Sequence, residues 1–202
     1  MKKYRASTYV ILTLLFLTSC SISRSNIAKN YSINDKNGVI FFSLTASGRC
    51  NFNYFIDIRN INTKESQSIG LTDSSGSLDW KKHSKECPSG KDNYDGRLIA
   101  IDLPEGVYDI YDLSGINLRM QTTSEKDIVM RFQVKKNEIK YLGNVHFHIN
   151  KKSFTYGVKD SRDRDVLFFK RKYKNLRNKD IKISIIRIQN RKHINNGPAM
   201  AA

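Results

Sequence analysis

RLIAIDLPEGVYDIYDL, residues 97–113, is the stretch whose pattern decides the fold class. Ile99, Ile101 and Leu103 recur at every second position, which puts them on one face of an extended strand. Pro104 presets the φ of a tight turn with Gly106 two residues on, and residues 107–113 return as a second strand. The expectation is a β-hairpin within a mainly β domain.

The same period continues outward in both directions. Toward the C-terminus, Ile128, Met130, Phe132 and Val134 alternate with Val129, Arg131 and Gln133, and Lys135-Lys136-Asn137 turns the chain into the longest strand, 138–149. There Ile139, Tyr141, Gly143, Val145, Phe147 and Ile149 are expected to face one way, and Lys140, Leu142, Asn144, His146, His148 and Asn150 the other. After a turn at 150–152, Phe154, Tyr156 and Val158 point inward, so the three strands read as a meander. Beyond Asp160 the period becomes helical: Val166, Phe169, Tyr173 and Leu176 predict a helix over 161–176, with Asp160, Asp163 and Asp165 at its start, where carboxylates favour a helix N-terminus. Residues 181–188 read as a last strand in which adjacent Ile185 and Ile186 mark a bulge, and 189–202 as a polar tail.

Toward the N-terminus, 39–44 is a nearly continuous apolar run, the pattern of a strand covered on both faces, and Tyr54, Ile56 and Ile58 alternate with Asn53, Asp57 and Arg59. Ser66–Leu71 is a weaker strand leading into a long loop, 73–95, where only Leu78 and Trp80 look buried. Residues 20–37, rich in Ser and Asn, read as a tether spanning roughly 20 to 25 Å. The fold expected over 38–188 is a single mainly β domain, an antiparallel β-sandwich of about nine strands with one C-terminal helix. The segment 97–113 resembles the hairpin of carboxypeptidase-regulatory, transthyretin-like β-sandwiches, which implies an Ig-like or transthyretin-like arrangement. FQVKKNEIKYLGNVHF, residues 132–147, resembles a pattern in small uncharacterised bacterial lipoproteins and brings no activity with it.

The first twenty residues carry an address. Lys2, Lys3 and Arg5 precede an apolar run, 9–17, too short to span a membrane, and Leu17-Thr18-Ser19-Cys20 follows. This resembles the lipobox of bacterial lipoproteins: a branched apolar residue, two small residues and the lipidated cysteine. The resemblance implies a signal peptide over 1–19 and a mature chain that begins at Cys20 with a diacylglyceryl thioether and an amide-linked third acyl chain. Ser21, rather than Asp, resembles the outer-membrane sorting pattern, which implies an outer membrane facing the periplasm in a cell with two membranes. Export also governs the remaining cysteines. Cys50 and Cys87 are expected to form a disulfide, worth about 4 kcal/mol in the chain-entropy model. A redox or metal role for the pair is the weaker reading, since neither has a CxxC partner.

Removal of 1–19 from the 202 residues leaves 183, and lowers the formal charge from +16 to +13. That charge seeks polyanions, and for an exported chain the expected counterpart is anionic lipid, lipopolysaccharide phosphate or wall polymer rather than nucleic acid. Its distribution is uneven: ten cations stand between Lys170 and Lys192 against the single acid Asp180. Lys170, Arg171, Lys174 and Arg177 are the residues expected to meet an anionic surface, against the alternative of a solvated helix face.

Catalytic signatures are absent: there is no GxSxG, HExxH, Walker loop or SxxK. The sequence therefore assigns no catalytic residue, no metal and no cofactor, and the expectation is a non-enzymatic binding or structural module of the cell envelope. Two alternatives stand beside it. His146 and His148, two apart on one strand face, have the spacing of a shared metal or of hydrolase residues, without an evident third ligand. Loop 73–95 alternatively docks a protein partner in an assembly. Asp163 and Asp165 lack the Gly that a calcium loop requires after them and read as helix capping. Tyr94, Tyr108 and Tyr111 are the candidates for a sugar-stacking platform.

Overall fold

Alternating apolar side chains must bury one face of each strand, and in the computed structural model they do so by forming two sheets. It describes residues 26–48, 53–71, 80–82, 94–116, 121–123, 128–149 and 154–190. The first sheet contains β1 (Asn37–Gly48), β4 (Trp80–Lys82), β5 (Tyr94–Pro104), β9 (Ile139–Ile149), β10 (Phe154–Lys159) and β11 (Ile181–Ile183). Its order is β10-β9-β1-β5-β4, with β11 also on β9. The second contains β2 (Asn53–Asn60), β3 (Ser66–Leu71), β6 (Gly106–Ile116), β7 (Gln121–Thr123), β8 (Ile128–Val134) and β12 (Gln189–Asn190), in the order β12-β8-β6-β2-β3 with β7 on β6. The chain is thus mainly β with two sheets and one α-helix, α1 (Arg162–Lys172), among the described residues.

The stretch 97–113 does not form a hairpin. β5 pairs with β1 and β4 in the first sheet, whereas β6 pairs with β2, β7 and β8 in the second. The turn at Glu105 carries the chain from one sheet to the other, so Ile99, Ile101 and Leu103 join Tyr108, Ile110 and Leu113 in one core cluster. Both arrangements need identical alternation, and pairing partners are what separate them. For the same reason β8 and β9 lie in different sheets, and only β9 and β10 remain of the expected three-stranded meander. The antiparallel expectation also fails in part: β9 runs parallel to β1 and to β11, so the first sheet is mixed.

Several boundaries shift. Part of 73–95 is strand, since Trp80 pairs with Gly96 and β5 begins at Tyr94. The presumed tether is docked from Asn26 onward: Ile27 N–H donates to the Ala100 carbonyl at 2.7 Å, and Ile27 is buried. The helix expected over 161–176 ends at Lys172 and resumes as a 3-10 turn, Lys174–Leu176, because Tyr173 leaves helical geometry at φ −115°, ψ 77°. After β11 the chain crosses between layers, with Ile185 against the helix-side cluster and Ile186 in the cluster between the sheets, before Gln189 and Asn190 pair with β8.

Two apolar clusters result. One lies between the sheets and includes Phe42, Leu44, Ile56, Ile58, Phe132, Val145 and Phe147. The other lies between the outer face of the first sheet and the helix, where Phe169 stacks on Phe41 with ring centroids 4.1 Å apart and touches Tyr173 at 5.0 Å.

Candidate functional site

The ladder of polar side chains on the outer face of the first sheet exists because β9 changes faces halfway along. Tyr141 opposes Phe41, but Asn144 opposes Ser43, so one extra residue is accommodated between them. Gly143 absorbs it at φ +110°, a conformation that side-chain-bearing residues rarely adopt. Ile139 and Tyr141 therefore face the helix, while Val145 and Phe147 point into the cluster between the sheets. The single alternation expected over 138–149 is corrected here: Tyr141 shares its face with Asn144, His146 and His148, and Leu142 lies in the inner core.

Beyond that bulge the outer face is polar. Thr45 Oγ1 donates to Asn144 Oδ1 at 2.8 Å, so the ring nitrogen Nδ1 of His146, also 2.8 Å from Thr45 Oγ1, must donate to it. Burial first, and then the electrostatic influence of neighbouring Lys159, His148 and Arg164, holds the His146 imidazole down at about 4. It is neutral at physiological pH, and Nε2 accepts from Ser47 Oγ at 3.0 Å. With the Ser47 proton engaged, His148 Nδ1 donates to Ser47 Oγ at 3.0 Å. Both nitrogens of His146 are thus occupied, so the ring would have to leave its partners to bind a metal. Among the described residues no group of three or more His, Cys, Asp or Glu is placed to hold one. An imidazole held so far below neutrality also takes a proton poorly at pH 7, which suits it to a hydrogen-bonding role better than to that of a general base.

A second constellation fastens the helix to the sheet. Asp165, fully buried, accepts from Ser43 Oγ at 2.6 Å and from the Tyr141 hydroxyl at 2.7 Å through Oδ2, and from Arg164 Nε at 2.8 Å through Oδ1. Arg164 also donates to Ser43 Oγ at 3.0 Å, and the Ser161 N–H donates to the Tyr141 hydroxyl at 3.2 Å. Burial, reinforced by the adjacent Asp165 carboxylate, raises the Tyr141 phenol far above its ordinary value. The sequence reading of Asp165 as a helix cap is therefore corrected. Its side chain leaves the helix end to anchor the sheet, whereas Asp163 stays exposed in the first turn. The i, i+4 spacing of Asp165 and Phe169, which share the inward stripe, was the available signal. An open depression of about 400 Å³ lies beside this anchor, lined by residues 160–164 with both signs of charge.

The predicted cationic face is exposed. Lys170, Arg171, Lys174 and Arg177 all stand in solvent, and no carboxylate among the described residues pairs with any of them. Lys182 differs: it reaches Glu138 at 2.7 Å, which raises its ammonium pKa. Arg191 and Lys192 lie outside the described residues, as do Cys20, Cys50 and Cys87, and with them the lipidation and disulfide expectations. Of the tyrosine platform, the Tyr94 side chain lies outside the described residues, and the other two rings are not free side by side. Tyr108 is buried with its hydroxyl donating to the Pro104 carbonyl at 2.9 Å, and the Tyr111 ring is covered by the Arg59 guanidinium at 4.7 Å.

No protein-family model matches the chain, and no curated protein does. Among solved structures, a leucine-rich repeat protein from Bacteroides thetaiotaomicron VPI-5482 superposes with a TM-score of 0.35 and 13% identity over 58% of this chain. This chain covers 14% of that protein, a likeness too slight to bear on fold type or function.

Proposed function

We propose that this protein is a lipid-anchored, non-enzymatic binding or structural module of the cell envelope, held to its membrane by Cys20 and oriented by its basic C-terminal face. The single observation that carries the reading is the run Lys170, Arg171, Lys174 and Arg177, exposed and without carboxylate partners among the described residues. Ion pairs within a fold consume surface charge, and these four are left to an external anion. Each cation near an anionic surface contributes about 1 kcal/mol, so four act together with the acyl chains of a lipidated N-terminus. The basic, apolar and small-residue order around Leu17-Thr18-Ser19-Cys20 supports the anchor, and Ser21 supports placement at an outer membrane facing the periplasm. No helix of the described residues is long and apolar enough to cross a membrane. A two-sheet β-sandwich is the fold type we assign, on the strength of the apolar cluster the sheets share.

The mature chain from residue 21, without acyl groups, is expected to bind phosphatidylglycerol vesicles and not phosphatidylcholine vesicles. Salt should weaken the binding as the Debye length shortens. Reversal of Lys170, Lys174 and Arg177 to Glu should abolish it; equal binding to both vesicle types, or no effect of the reversal, would reduce the charge to a solubility device. Fatty acid incorporated into the wild type and not into Cys20→Ser tests the anchor separately.

A further inference from the structure

The exposed large apolar side chains of the described residues are Leu167, Ile183 and Ile188, at 51%, 39% and 41% exposure; Leu167 stands three residues before Lys170, and the other two lie within the segment that carries the cations. Isolated exposed leucines are ordinary on protein surfaces, and the position of these is what matters. In α1 the inward stripe is Asp165 and Phe169, both buried. Leu167 is on the opposite side, and Lys170 and Arg171, at i+3 and i+4 from it, form the same outward patch. In β11, Ile181 packs against the cluster beneath the helix, and Ile183, two residues on and in register with Tyr141, shares that side of the sheet. Leu167 and Ile183 thus project from the helix-bearing side of the molecule, Leu167 with Lys170 and Arg171 around it.

We infer that the anionic surface met by this side is a lipid bilayer, with Leu167 entering the boundary between headgroups and acyl chains while the surrounding cations contact the headgroup phosphates. The inference rests on the reading of the basic face given above and names its partner. A soluble phosphate polymer offers charge but no apolar phase, so it would neutralise the cations and leave Leu167 and Ile183 in water. A bilayer interface offers both within a few ångströms of depth, which is the pattern of an interfacial amphipathic surface. Long Lys and Arg side chains suit that depth, because their stems lie along apolar groups while their charges reach outward.

The test uses the full-length, processed and lipidated protein in vesicles of phosphatidylglycerol and phosphatidylcholine in equal parts, or of phosphatidylcholine alone. An environment-sensitive fluorescent amino acid replaces Leu167, or, as control, Gln133, which is exposed on the outer face of the second sheet. In the anionic vesicles the probe at 167 is expected to shift to the blue and to be quenched by lipids brominated high on their acyl chains. The probe at 133 should do neither. Both signals at 167 should be lost in phosphatidylcholine and on reversal of Lys170, Lys174 and Arg177 to Glu. If the probe at 167 is unquenched while the unlipidated chain still binds anionic vesicles or soluble polyphosphate in a salt-dependent way, insertion is overturned and the basic-face reading stands. If the charge reversals leave vesicle binding and quenching unchanged, the basic-face reading itself fails.

Discussion

Acidification provides a quantitative test of the ladder around His146. The imidazole is held at about 4 in the fold, against an ordinary value of 6.5, by burial first and then by the electrostatic influence of neighbouring Lys159, His148 and Arg164. Its immediate partners, Thr45 and Ser47, are neutral hydroxyls, and nothing in direct contact rewards a second proton. Because the folded value is depressed, the unfolded chain binds the proton more readily. The stability is complete above about pH 6.5 and is lost as pH falls toward 4. Two-state linkage with those two values gives about 2 kcal/mol of lost stability at pH 5, reduced to about 1 to 2 kcal/mol because the ring is only partly buried. For a chain of this size each kcal/mol corresponds to about 2 to 4 °C in Tm. The assay is urea or thermal unfolding at pH 7.5 and pH 5.0 of the wild type and of His146→Gln, which removes the titration and leaves the other groups in place. The variant should lose less stability between the two pH values by that amount, even though it starts lower at pH 7.5. Equal losses in both proteins would refute the assignment of a buried neutral imidazole at this position.

Asp165→Ala leaves the Ser43 and Tyr141 hydroxyls and the Arg164 guanidinium without their shared acceptor, and is expected to destabilise by about 3 kcal/mol in chemical denaturation. Asp163→Ala, two residues away and exposed, should cost under about 1 kcal/mol; equal effects would contradict the anchoring role. Gly143→Ala would place a Cβ 2.9 Å from Val158 Cγ1 and 3.3 Å from the Lys159 carbonyl at φ +110°, and a loss of about 1 to 3 kcal/mol is expected by thermal unfolding. An unchanged Tm would show that the bulge relocates freely. Non-reducing electrophoresis of the exported protein should show a compact form abolished by Cys87→Ser, and free thiols at both Cys50 and Cys87 would exclude the disulfide.

What the sequence determined by itself was local. Period-two apolar patterns identified most strand segments correctly, the change of period after Asp160 located the helix, and Lys170, Arg171, Lys174 and Arg177 proved to be exposed because Phe169, Tyr173 and Leu176 take the inward positions between them. Alternation records which residues are buried and not which strand lies alongside. The same pattern in 97–113 therefore served two strands in separate sheets as well as it would have served a hairpin. The face change at Gly143 and the parallel pairing of β1 with β9 depend on contacts about 100 residues apart, and they alone place Tyr141 beneath the helix and His146 above Thr45 and Ser47. Asp165 shows the same limit in one residue. By position it belonged to a helix end, and only the approach of Ser43 and Tyr141 from two other strands made it the buried acceptor that holds the helix to the sheet.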